Sequence, residues 1–211
     1  MKGLLLKDFY VTLKRCKFYL IVSAFFIAAS FFLDNWFSDG YMFMMLPVVI
    51  FAVLPINLLA FDEKSAWTKY SRTLPYSKAQ IVSAKYIFGF TFQVVMALVV
   101  LLALAIRAKT IGGFDELSQS AQVLCGVFIL SLIVPAVGLP LCFKFGTEKG
   151  RVFFMALVFG LALAFSFSID EFKRDLRSNG CIFVMIAIVA AFYVGSWIIS
   201  IAVYNQRETI K

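Results

Sequence analysis

Six long apolar stretches, residues 18–33, 41–61, 87–106, 123–143, 152–169 and 181–204, contain none of the chain's 20 basic and 12 acidic residues. A bilayer core about 30 Å thick needs roughly 20 apolar residues per helix. Backbone groups inside it must be paired within the segment, so uninterrupted apolar runs of this length read as helices. The pattern predicts an all-α membrane protein with six transmembrane helices. With 62% hydrophobic residues and a mean hydropathy of +0.91, the chain has too little polar surface to cover a soluble globule. One transmembrane domain over residues 1–211 accounts for nearly all of it.

Ion-coupled carriers place ionisable groups inside their spans, and these stretches have none. Anything the protein moves is therefore expected to draw its energy from elsewhere. The net charge of +8 could point to nucleic acid, but the placement of the cations argues for membrane orientation and against that partner. Lys2, Lys7, Lys14, Arg15 and Lys17 precede the first span; Lys64, Lys69, Arg72, Lys78 and Lys85 lie between the second and third. Lys144, Lys149 and Arg151 follow the fourth span, and Arg207 and Lys211 follow the sixth. With six spans these segments share one side, leaving Arg107, Lys109, Lys173, Arg174 and Arg177 on the other. Cationic loops stay inside, which predicts a multi-pass plasma-membrane protein with both termini cytoplasmic.

The sequence has no histidine, and its cysteines at 16, 125, 142 and 181 form no CxxC pair. No metal site is expected, and no Ser–His or metal-dependent hydrolase chemistry. The sequence also lacks the Gly-x-x-x-x-Gly-Lys-Ser/Thr pattern that cradles phosphates; Gly146-Thr147-Glu148-Lys149-Gly150 reads as a glycine-bearing turn. The first apolar run is longer than a signal-peptide core, and Asp34-Asn35-Trp36 does not resemble a cleavage site.

Residues 1–17 combine Leu4, Leu5, Leu6, Phe9, Tyr10 and Leu13 near helical spacing with five cations, as in a helix lying in the interface beside anionic lipid headgroups. Pro47 and Pro55 in the second span and Pro135 and Pro140 in the fourth each remove a backbone donor and can bend a helix. Residues 107–122 form the longest external connection, with a turn at Gly112-Gly113. Small residues recur every fourth position at Ala156, Gly160, Ala164 and Ser168, a flat stripe suited to close helix packing and a candidate dimer interface. Ala187, Ala191 and Gly195 form a rival stripe in the sixth span, with internal packing the default for either. Twenty-five phenylalanines and a cluster of methionines suit an aromatic, uncharged cavity for apolar or amphipathic cargo; Phe25, Met45, Phe51, Asn57 and Phe165 are candidate lining residues. An interhelical hydrogen bond is the expected role of Asn57 and Gln93.

The segment at 62–77 is the most distinctive. Trp67, Tyr70 and Leu74 share one face at i, i+3 and i+7, and Asp62 and Glu63 would lie near the positive N-terminal end of that short helix. Pro75 stops it. Ser77 and Gln80 then form a capping box, with Tyr76 and Ile81 at the staple positions, opening a helix expected to run unbroken from Lys78 into span three. Asp62-Glu63-Lys64, the aromatic Trp67, Leu74-Pro75-Tyr76-Ser77-Lys78, Ile81-Val82 and Lys85-Tyr86 together resemble the small six-span permease subunits of type-2 ABC exporters. Within these the pattern is similar to the group containing the phenol-soluble modulin exporter and lantibiotic export or immunity permeases of Gram-positive bacteria. The specific part of the resemblance covers about 25 residues of this loop. It implies a cytoplasmic coupling helix between spans two and three, with Asp62, Glu63, Trp67, Tyr70, Leu74, Pro75, Tyr76 and Ser77 contacting a separate ABC ATPase. It also implies two ATPase copies, which carry ATP and Mg with no cofactor on this chain, and a second permease chain, a homodimer before a heterodimer. The cargo it implies is an amphipathic antimicrobial or cytolytic peptide. The alternative is a non-transporting immunity or sensory subunit that binds such peptides.

Overall fold

The computed structural model describes residues 2–15, 17–32, 40–65, 67–71, 73, 75–110, 114–150, 152, 155 and 179–209, which contain no strand. In chain order the helices are α1 (Lys2–Arg15), α2 (Lys17–Phe32), α3 (Gly40–Ala52), α4 (Leu54–Lys64), α5 (Trp67–Ser71), α6 (Lys78–Thr110), α7 (Phe114–Ser131), α8 (Ile133–Phe145) and α9 (Asn179–Thr209). Four continuous stretches are long and apolar enough to cross a bilayer: Phe43–Lys64, Lys78–Thr110, Ser120–Phe145 and Val184–Gln206. The apolar helix α2 is shorter, 16 residues or about 24 Å at 1.5 Å per residue. Of the expected fifth span only Val152 and Met155 are described, so the candidate stripe Ala156, Gly160, Ala164 and Ser168, and Phe165 with it, lie outside the described residues.

The prolines divide spans two and four. Pro55 stands one residue inside α4, after a turn at Val53, and Pro135 follows a turn at Leu132 between α7 and α8. Each ring denies a donor to the carbonyl four residues earlier, and the helix opens locally. Pro140 acts similarly inside α8, freeing the Ala136 carbonyl, which the Ser196 hydroxyl of α9 takes up. The freed acceptor thus becomes an interhelical bond, as the absence of water in a bilayer demands.

The connection read as residues 107–122 is much shorter in the structure. Helix α6 continues to Thr110 and α7 begins at Phe114. Arg107 is buried within α6, and its Nη1 donates to the Ser30 carbonyl at 2.7 Å. That carbonyl belongs to the last turn of α2, where helix acceptors lack partners, so a cation expected in a loop instead closes a helix end.

Helix α6 is the hub, packing against α1, α2, α3, α4, α7 and α9. Towards one end Met44, Met45, Val48, Val100, Leu104 and Leu124 form a core between α3, α6 and α7. Midway, Phe51, Leu54, Leu58, Phe88 and Met96 join the proline-divided span to α6. Nearer the other end, Ile56, Leu59, Val82, Tyr86, Leu139, Cys142 and Phe143 bind α4, α6 and α8, with Tyr193 and Tyr204 of α9 against them. Gly89 lets α6 approach the Pro55 ring: a Cβ there would lie 2.9 Å from Cγ of that proline. After α8 the chain reverses at Gly146, whose φ of 86° suits glycine.

Candidate functional site

Helix α1 turns Leu4, Asp8 and Thr12, spaced by four, into the protein and leaves Leu6, Phe9, Tyr10 and Leu13 exposed. Its inner face delivers one carboxylate to the ends of α4 and α6. Asp8 Oδ1 lies 2.7 Å from Lys85 Nζ and 3.1 Å from Lys7 Nζ. Asp62 of α4 completes the circuit, 2.7 Å from Lys7 and 2.6 Å from Lys85. Two ammonium groups and two carboxylates thus form a closed ring of ion pairs. Asp8 and Lys85 are each 2% exposed and Asp62 6%. Burial of single charges here would be prohibitive; a neutral ring with every partner in contact makes it tolerable.

The short helix α5 rests on this ring. Lys7 Nζ lies 4.3 Å from the centroid of the Trp67 ring, a cation–π contact. Trp67 also tilts against Tyr70 with centroids 5.4 Å apart, and Tyr70 is 57% exposed. Beyond α5, Ser77 and Gln80 form the expected capping box. The Gln80 N–H donates to Ser77 Oγ and the Ser77 N–H to Gln80 Oε1, at 3.3 and 3.1 Å. The chain then runs as one helix to Thr110. Tyr76 reaches back to α1, where a Cβ on Gly3 would lie 3.1 Å from its hydroxyl.

Asp62 and Glu63 correct the sequence reading. They occupy the last turn of α4, not the start of α5; Asp62 is buried in the ring, while Glu63 stays exposed and bonds along the surface. Glu63 accepts the backbone N–H of Thr147 at 2.9 Å and also its hydroxyl, tying α4 to the turn after α8. Carboxylates at a helix C-terminus oppose the helix dipole, and the ring cations and the Thr147 donors offset that cost. Among the expected coupling residues, Trp67 faces Lys7, Tyr70 is open, and Pro75 and Ser77 are exposed. Leu74 lies outside the described residues.

The four candidate cavity residues among the described ones, Phe25, Met45, Phe51 and Asn57, are not brought together. Phe25 is 66% exposed on the outer face of α2. Met45 packs in the α3–α6–α7 core and borders an open groove of about 280 Å³ with Phe43, Leu46, Val49 and Val127. Phe51 is buried and stacked on Phe92. Asn57 donates to the Tyr19 hydroxyl of α2 at 2.6 Å, and Gln93 to the Ser131 hydroxyl of α7. Both amides thus serve as interhelical bonds.

A second polar cluster escaped the sequence reading. Tyr86 Oη lies 2.8 Å from Ser196 Oγ and 2.7 Å from Ser200 Oγ. Tyr193 donates to the Tyr86 carbonyl at 3.0 Å, and Trp197 Nε1 donates to Ser83 Oγ at 3.0 Å. The available signal was the spacing of Tyr193, Ser196, Trp197 and Ser200, one face of a helix. The rival stripe lies away from that face: Ala187 and Ala191 are exposed, and a Cβ on Gly195 would meet nothing within 4 Å. Among the described residues nothing packs against that stripe.

A helical bundle with four membrane-length segments among the described residues, and a buried ring of two lysines and two aspartates beneath a short helix that exposes Tyr70, defines a multi-pass membrane protein. The chain belongs to the ABC-2 transporter family. The family model described as "ABC-2 family transporter protein" matches residues 3–205. This family is the transmembrane, non-catalytic component of ABC transporters and works with an ABC ATPase. No significant match was found among curated proteins or among solved structures.

Proposed function

We propose that this permease exports amphipathic, cytolytic or antimicrobial peptides across a bacterial plasma membrane, driven by an ATPase that docks on α5 and the 75–77 turn. The family match through residues 3–205 carries the transporter reading. The open face of Tyr70, at the foot of a helix continuous with a membrane span, supports this docking point. Asp62 and Glu63 are committed to partners within the chain, so Tyr70, with Leu74, Pro75, Tyr76 and Ser77, forms the ATPase contact. Trp67 transmits it inward. Two permease chains, identical copies in the simplest assembly, pair over two ATPases, which carry the ATP and Mg. Both chain termini face the cytoplasm. Pairing through Ala156, Gly160, Ala164 and Ser168, or through the outward stripe of α9, brings two flat helix faces together. Aromatic and methionine-rich surfaces suit an apolar peptide face of varying shape; the peptide cargo itself follows from the resemblance of the 62–86 segment.

Inside-out vesicles containing the permease and its copurifying ATPase test this. With ATP, a labelled cationic amphipathic peptide accumulates in the lumen, and Tyr70→Asp abolishes both accumulation and copurification of the ATPase. Wild-type accumulation in Tyr70→Asp vesicles defeats the docking point. Peptide binding without accumulation in wild-type vesicles replaces export with an immunity role.

A further inference from the structure

We infer that the Asp8–Lys85 ion pair is a transmission link that carries displacement of α5 into span three, making both residues positioning residues for transport. The inference rests on the proposed ATPase contact at α5.

The covalent route from α5 to α6 is poorly suited to the task, because the helix stops before Pro75 and starts again at Lys78. The side-chain route is short and closed. From α5, the Trp67 ring bears on the Lys7 ammonium at 4.3 Å. Lys7 is held by Asp8 at 3.1 Å and by Asp62 at 2.7 Å. Those two carboxylates grip Lys85 at 2.7 and 2.6 Å.

Apolar contact is non-directional and lets surfaces slide, whereas a buried ion pair resists separation because parting it strands a charge. Lys85 sits two turns inside α6. A sideways pull there acts on a rigid rod that continues 25 residues to Thr110, about 37 Å of helix. The Glu63–Thr147 bonds meanwhile fix the tip of α4 to the turn after α8. Movement of α1 and α5 is thus resolved against a held post and appears in α6. Stability alone does not call for this arrangement, since buried pairs replaced by apolar residues of similar volume commonly leave stability unchanged or higher.

That difference supplies the test. Asp8→Asn with Lys85→Met removes the link between α1 and α6 but keeps the Lys7–Asp62 pair, so the cluster stays neutral. Asp8→Leu with Lys85→Met is the second variant, should the asparagine disturb folding. Each is purified with its ATPase, checked for wild-type thermal unfolding, and compared with and without ATP plus vanadate by hydrogen exchange. In the wild-type complex, trapping is expected to change exchange at least about threefold both in α5 and in the first three turns of α6. In the double variants the α5 change remains and the α6 change is lost. ATP hydrolysis stays within about twofold of wild type while accumulation of the labelled peptide falls at least about fivefold. A merely structural pair predicts that the neutral variants recover stability and transport together. An α6 response equal to wild type in a folded double variant overturns the link. No response at α5 in the wild-type complex overturns the ATPase contact, and the link with it.

Discussion

At the residue scale, charge and glycine each do something the flanking composition conceals. Asp8 is the only acidic residue before position 34, set among cations and apolar side chains, and that isolation was the signal for a buried partner. Its buried partner Lys85 is 77 positions away, and Asp62, which shares both lysines with it, is also distant in the chain, so no local pattern could pair them. Glycines show the same dependence on distant neighbours. A Cβ at Gly150 would lie 2.8 Å from Cys142 Cα, backbone that cannot swing aside, and one at Gly89 would lie 2.9 Å from the Pro55 ring. Gly150→Ala and Gly89→Ala are each expected to lose about 1–3 kcal/mol through overpacking. Gly195→Ala, facing open space, should remain within about 0.5 kcal/mol of wild type. Unfolding midpoints in detergent, followed by helical circular dichroism, separate the three.

At the element scale, α6 was the helix most legible beforehand, because its capping box, the break at Pro75 that precedes it and its apolar run are all local. The bends at Pro55 and Pro135 were legible for the same reason. What each proline would free, and what would take it up, was not. The bond from Ser196 to the carbonyl that Pro140 releases joins residues 60 positions apart. Ser196→Ala leaves the Ala136 acceptor buried without that donor and takes one partner from Tyr86. A loss of about 1–2 kcal/mol is expected, read as a lower unfolding midpoint and faster exchange around Ser196 in the second half of α9. The end of α4 was misplaced because acidic residues ordinarily open helices; here the cations brought by α1 and α6 let the helix continue through them.

At the scale of the whole molecule, the distribution of cations sets an expectation for orientation. Single cysteines introduced at Tyr70 and Thr209 should be protected in intact cells from an impermeant thiol reagent and react after permeabilisation, whereas Asn179→Cys should react from outside. Labelling of Tyr70→Cys in intact cells would invert the topology and place α5 beyond the reach of a cytoplasmic ATPase. Arg107 is buried. It belongs to a helix end rather than a loop, so the expected external side carries fewer free cations than a count of loop residues suggests.

The sequence by itself determined that this chain is a set of membrane helices, that the long helix α6 starts at Lys78, and that the chain contains no phosphate-binding motif. These depend on hydrophobic runs, caps and motifs, which act over a few residues and need no partner. Only the tertiary structure decided that Asp62 turns inward and Glu63 bonds Thr147, that Lys85 and Arg107 are buried, and that the hydroxyls of α9 face α6. A charge or hydroxyl is stable in a low-dielectric interior only when a complementary group meets it. That meeting is made by helices packed from distant parts of the chain.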